Sequence, residues 1–378
     1  MSERPVDGPN TPDRPTPAVP GSRDGDRGRR IVFGVLTAAC LAGAIGYVAW
    51  ASVRGRPAAS GPSIVTSRTA APGSPALTSI PSTSSPRGLD ATSSPSATTG
   101  RSPRVVFQNV VRDDGYAKVA VAELSDPDGP RTITGLTCER VYFAAGRGLC
   151  LGSEFGLVTT YHAVIFDEDF VPQHRLALDG PPSRARISSD GRYGAATVFV
   201  FGHSYADAVF STHTIIIDMA SGATLGHLEE FVVERAGAEI RAPDFNFWGV
   251  TFAADSDRFY ATLRTAGRTH LVEGDVETRR MRVLAENVEC PSLSPDGKRI
   301  AFKKLVAEGP TWRLHVLELA TMVETPLAEE RSVDDQVEWL DDENVLYAIF
   351  EDTWTVASDG TGVPSIFLSE GLSPAVVR

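Results

Sequence analysis

Cys290-Pro291-Ser292-Leu293-Ser294-Pro295-Asp296-Gly297-Lys298-Arg299-Ile300-Ala301-Phe302 is the stretch on which the reading of this 378-residue chain turns. It reads as two short strands and a tight turn: residues 292–294 lead in, Pro295-Asp296-Gly297 turns, and residues 299–302 lead out. Proline presets φ for such a turn, and Asp-Gly supplies the positive φ that a two-residue hairpin connection needs. Related patterns recur at residues 185–195 around Asp190, 250–260 around Asp255, 337–347 around Asp342 and, more faintly, 140–150 around Ala145. These turns lie about 40–65 residues apart, the period of four-stranded propeller blades. The longest interval, between Asp190 and Asp255, leaves room for an insertion.

After each hairpin a third strand is expected, at residues 161–166, 214–219, 269–273, 313–319 and 353–357. A fourth follows a polar turn, at residues 174–178, 224–228, 281–284, 323–327 and 365–368. No long segment keeps a helical period, so the domain is all-β. Residues 105–107, 118–124 and 132–134 supply the second to fourth strands of a sixth unit that lacks its first strand. Ser373-Pro374-Ala375-Val376-Val377 is a first strand without a blade. Joining the two closes a ring and hides an open sheet edge. The expectation is a six-bladed β-propeller over residues 104–378, preceded by a single transmembrane helix and a disordered linker.

Ahead of that domain the composition changes twice. Residues 1–30 are rich in Pro, Gly, Asp and Arg and too poor in apolar side chains to fold, giving a disordered cytoplasmic tail. An uncharged run then opens at Ile31 and closes at Val53, 23 residues long enough to cross a bilayer as a helix. Arg27, Arg29 and Arg30 precede it, Arg54 and Arg56 follow, and Tyr47 and Trp50 suit the interface. The greater basic excess on the N-terminal side places the N-terminus in the cytoplasm and the bulk of the chain outside it, in a single-pass cell-membrane protein. Ala49-Trp50-Ala51 offers a rival reading as a signal-peptide cleavage site. The run exceeds an ordinary signal core and follows a 30-residue segment, which favours an uncleaved anchor. Residues 54–103, made of Ser, Thr, Pro, Ala and Gly with no aromatic residue, read as a disordered tether.

Charge divides along the same lines. The chain is −12 overall; its first 103 residues carry 11 basic and 6 acidic side chains, which leaves −17 on the propeller. Binding nucleic acid through its phosphates is disfavoured.

The string from Ser294 to Phe302, with Ser358-Asp359-Gly360-Thr361-Gly362, resembles the repeat signature of TolB-like (WD40-like) β-propellers. That family acts in the cell envelope through protein contacts and is generally non-enzymatic. The resemblance implies a non-catalytic protein-interaction module whose partner is an envelope protein or cell-wall component, with no cofactor, no catalytic residue and no small-molecule substrate. This chain departs from the founding pattern in having an anchor for a cleaved signal and a tether for a small N-terminal domain. Anchor, tether and propeller together resemble the membrane-anchored TolB-like translocation proteins of actinobacteria.

Cys138 and Cys150 lie symmetrically about Ala144, which places them opposite each other across a hairpin and within reach of a disulfide. Cys290 reads as a free core thiol. The seven histidines lack metal-ligand spacing, so no metal site is expected. Gly202-His203-Ser204-Tyr205-Ala206 partly resembles a nucleophile elbow, but it falls between two strands rather than before a helix. It reads instead as a loop of blade three, in the favoured reading a lid packed on its own blade and in the other a contact loop with His203, Ser204, Tyr205 and His213 as binding residues. Two other classes of function stay open: a lactonase- or lyase-type propeller enzyme with a metal in the central channel, and a ligand-sensing ectodomain.

Overall fold

The structure, a computed structural model, describes residues 102–378 apart from 203, 206–208 and 307–310. The expected tail, the run from Ile31 to Val53 and the tether up to residue 101 lie outside the described residues. Among the described residues no helix is long and apolar enough to cross a membrane.

Six sheets form a ring of blades, numbered here in chain order. Blade two shows the unit plainly, with Arg140–Ala144, Arg147–Glu154, Thr160–Asp167 and Pro172–Leu178 paired antiparallel in sequence order. Blade three repeats it with Pro182–Ile187, Tyr193–Phe201, Ser211–Asp218 and Thr224–His227. Blade five has Glu289–Leu293, Arg299–Leu305, Trp312–Glu318 and Val323–Pro326, and blade six Glu338–Trp339, Asn344–Ile349, Asp352–Ala357 and Ser365–Leu368. The first strands of blades three and four are buried almost throughout, because both faces are covered. The outer strand Pro172–Leu178 alternates half-buried and exposed residues and buries only Leu178. The core therefore sits as apolar wedges between blades: Leu149 and Ile165 meet Ile187 and Ile217, and Leu314 and Val316 meet Trp339 and Tyr347.

The ring closes as the sequence indicated. Gly371–Val377 pairs antiparallel with Arg104–Asn109, matching Arg104 to Val377 and Val106 to Ala375, and so becomes the first strand of blade one. Lys118–Glu123 and Thr132–Thr137 complete that blade.

The repeated turn differs in detail from a two-residue connection. In blade five Ser294 and Arg299 close the turn, with the Ser294 N–H donating to the Arg299 carbonyl at 2.8 Å, so four residues lie between them. Ser294 Oγ donates to Asp296 Oδ1 at 2.6 Å, Asp296 accepts from the Lys298 N–H at 3.1 Å, and Gly297 takes φ +70°. Ser188, Asp190 and Gly191 repeat this arrangement in blade three, and Ser256 takes the left-handed position in blade four. The signature is thus a side-chain-braced turn in which Ser and Asp hold the loop and Gly frees it. Only blade two uses the two-residue form, at Ala145 and Gly146, both at positive φ.

Blade four holds the insertion. Its basic sheet is Asn246–Phe252, Arg258–Thr265, Arg268–Asp275 and Arg280–Glu286. Val232–Arg235 adds to the outer edge parallel to Arg280–Glu286, and Ala238–Ile240 pairs beyond it, giving six strands. Arg279 pairs with Glu230 at 2.9 Å and Arg235 with Glu286 at 2.5 Å, fixing the added hairpin.

Cys138 and Cys150 form a disulfide, with S–S 2.01 Å and Cα atoms 5.4 Å apart. The symmetry argument about Ala144 does not describe it. The hairpin turns between Ala145 and Gly146, so Cys150 faces Val141. Cys138 instead lies in the connection from blade one, where its N–H donates to the Ala117 carbonyl at 3.0 Å, and reaches across from there. Cys290 is free and fully buried.

Candidate functional site

All six blades contribute to the walls of one axial funnel of about 370 Å³. Its wall is built where the first strands end: Ala144, Ser189, Ala254, Asp296, Trp339 and Arg378 each come from a different blade. Strand direction explains this, since every first strand runs toward this mouth and every first turn rims it.

Charged side chains on first strands line the axis. Near the funnel floor the Arg186 guanidinium pairs with Glu338 at 2.9 Å and lies 4.5 Å from the centre of the Tyr142 ring. Tyr142 donates to Glu338 at 3.3 Å, and Arg186 also donates to the Val337 carbonyl. Burial pushes the Glu338 carboxyl above its ordinary pKa, and Arg186 offsets part of that. Gln336 donates to the carbonyls of Val250 at 3.0 Å and Pro291 at 2.8 Å, tying blades four and five together.

A second polar layer lies toward the opposite mouth. Fully buried Lys303 pairs with Asp334 and stands 3.6 Å from Glu289. Its ammonium lies over the rings of Trp312 at 4.2 Å and Tyr205 at 4.6 Å, a cation–π arrangement. Trp312 Nε1 donates to Glu289 at 3.1 Å, and Arg184 stands 3.6 Å from Asp334. Arg140 donates to the Ser183 carbonyl at 2.7 Å. Burial raises the Glu289 pKa, with Lys303 countering it. Burial would likewise raise Asp334, but Lys303 and Arg184 outweigh it and hold that carboxyl below its ordinary value. One ammonium between two carboxylates thus serves the nearer.

The residues expected on the blade-three loop are not gathered into one site. His203 lies outside the described residues. Ser204 is partly buried. Tyr205 is not an exposed contact: it is 7% exposed, packed on Phe199, Phe210 and Trp248, and shares a 2.6 Å hydrogen bond with Ser183. The loop therefore packs beyond its own blade, with Trp248 from blade four and Cys290 and Trp312 from blade five in the same apolar cluster. The centre of the Tyr205 ring lies 5.2 Å from the Arg184 guanidinium and 4.6 Å from the Lys303 ammonium, beside the second polar layer. His213 faces elsewhere, with its Nδ1 3.5 Å from Asp179 and its ring 5.6 Å from that of His227. Sequence reasoning missed Arg140, Arg184, Arg186, Glu289, Lys303, Asp334 and Glu338. A signal existed for most of them: a charge inside an apolar first strand has only the axis to face.

Among the described residues no three His, Cys, Asp or Glu side chains stand where they could hold a metal ion. The sequence matches no family model and no curated protein. Among solved structures it is similar to TolB from Acinetobacter baumannii, at 16% identity and TM-score 0.50, covering 72% of this chain and 66% of that one. A putative TolB from Agrobacterium tumefaciens shares 11% identity at TM-score 0.43, covering 72% of this chain and 91% of that one. An oligogalacturonate lyase in complex with manganese shares 12% at TM-score 0.41, covering 67% and 71%. The likeness is one of fold alone, a six-bladed β-propeller.

Proposed function

We propose that this chain is a membrane-anchored, extracytoplasmic, non-catalytic interaction module whose funnel receives part of an envelope protein or cell-wall component. The observation that carries the reading is the state of the axial charges. Arg186 and Glu338 neutralise each other, as do Lys303 and Asp334. What remains open is a rim of mixed polar and apolar side chains on a ring of blades, suited to contact with a partner surface. The Cys138–Cys150 bridge supports an oxidising compartment, and the uncharged run from Ile31 to Val53 supports an anchor.

A photo-crosslinking residue placed at Ser189 or Ala254, on the funnel wall, should capture one envelope partner in cells, whereas the same residue at Val363 should not. Equal capture from all three positions, or none from the funnel, would overturn the proposal. Metal analysis of the purified protein tests the non-catalytic part: a stoichiometric tightly bound metal would count against it. Fractionation tests the anchor, since a chain beginning near Ser52 and released from membranes would rule it out.

A further inference from the structure

The funnel occupies one face of the ring; the opposite face carries an unexplained set of apolar tips. Because first strands run toward the funnel, every connection between second and third strands emerges on the other side. In blade two that connection is Phe155-Gly156-Leu157-Val158-Thr159, without a charge, and Phe155, Leu157 and Val158 are 87%, 107% and 76% exposed. Phe201 and Val209 stand out on the equivalent loop of blade three. In blade six the two-residue turn carries Phe350, 91% exposed and at φ +58°. A bulky side chain at positive φ breaks the local rule that gives such positions to Gly or Asn. Blade four meets the same need with Ala266-Gly267. Single exposed apolar residues need no explanation, but a charge-free loop that projects three of them does.

We propose that this face docks on a lipid bilayer, the loop tips entering the headgroup boundary. Three observations select a bilayer as the occupant. The tips stand on separate loops of separate blades, so a soft interface can take them without matched shape. Charges beside them are paired, Arg112 with Glu351 at 2.8 Å and Arg175 with Glu154 at 2.7 Å. On a domain of net −17, the attraction must therefore be apolar rather than electrostatic. Finally, the chain ahead of the ring contains the uncharged run closing at Val53, and the intervening residues 54–101 have a tether's composition. The local concentration so supplied rests on the anchor reading; the contact itself does not.

The test uses residues 102–378 alone, whose ring closes on itself between Arg104 and Val377. The domain should float with phosphatidylcholine vesicles at millimolar lipid, to the same extent in low and high salt. The triple variant Phe155→Ser, Leu157→Ser, Val158→Ser should lose at least tenfold in partitioning while melting as the parent does. Leu157→Trp should give emission that shifts blue on binding and is quenched by lipids brominated on their acyl chains. Absence of parent binding, binding that requires anionic lipid, or a triple variant that partitions as the parent would each overturn the proposal. None of these outcomes bears on crosslinking from the funnel, so the two readings fail separately.

Discussion

Replacing Lys303 by Met keeps the length of the side chain and removes its charge, which isolates what the ammonium does. The lysine is fully buried, Glu289 is 7% exposed and Asp334 35%. Removing one partner from a buried ion pair costs about 3–5 kcal/mol, because the other charge is left without compensation. Water already reaches Asp334, so the lower end, about 3 kcal/mol, is the expected loss near pH 8. For a domain of this size that corresponds to a melting temperature lower by about 6–12 °C. The sign of the pH dependence follows from the carboxylates. Without the ammonium, the folded-state pKa values of Glu289 and Asp334 rise above their unfolded values. The destabilisation is then absent below the unfolded carboxylate range, roughly pH 4, and grows as pH rises through the folded values. The gap between parent and variant, followed by thermal melts between pH 4.5 and 8, should widen with pH. Adding Glu289→Gln and Asp334→Asn should restore most of the loss. A gap that is constant with pH, or absent at pH 8, would refute the account. Failure of the triple variant to recover would assign the cost to packing on Trp312 and Tyr205 instead.

Removing residues 374–378 deletes the partners of Arg104, Val105 and Val106 and uncovers two valines that are fully buried; the domain should melt more than about 10 °C lower in a thermal scan, or fail to fold. Cys150→Ser opens a covalent loop between residues 12 apart, worth about 3 kcal/mol in a chain-entropy treatment, and reductant should bring the parent down to the variant's denaturant midpoint. Burial raises Glu229 to about 8, partly countered by backbone donors including the Thr214 N–H. Its contribution is therefore intact below the unfolded value near 4.5 and lost as pH rises toward 8, on the order of a few kcal/mol; Glu229→Gln should flatten that part of the stability–pH profile.

Periodicity decided the fold before any contact was known. The recurrence of the turns around Asp190, Asp255, Asp296 and Asp342 gave four-stranded units, and the mismatch between an unpaired Ser373–Val377 and an incomplete first blade gave the closure. Such features are legible because turn chemistry and strand alternation are local: Gly297 must reach positive φ whatever surrounds it. The insertion was visible only as a long interval, since its parallel pairing with Arg280–Glu286 joins strands remote in sequence.

The pairings along the axis were decided by tertiary structure alone. Arg186 meets Glu338 across 152 positions and Lys303 meets Asp334 across 31, and nothing local links the members of either pair. Tyr205 illustrates the limit best. By sequence it belongs to a polar-looking loop open to solvent, yet the ring brings Trp248, Cys290 and Trp312 against it and buries it. A side chain's neighbours along the chain set its backbone conformation; whether it meets water or a buried ammonium depends on which blades the ring sets side by side.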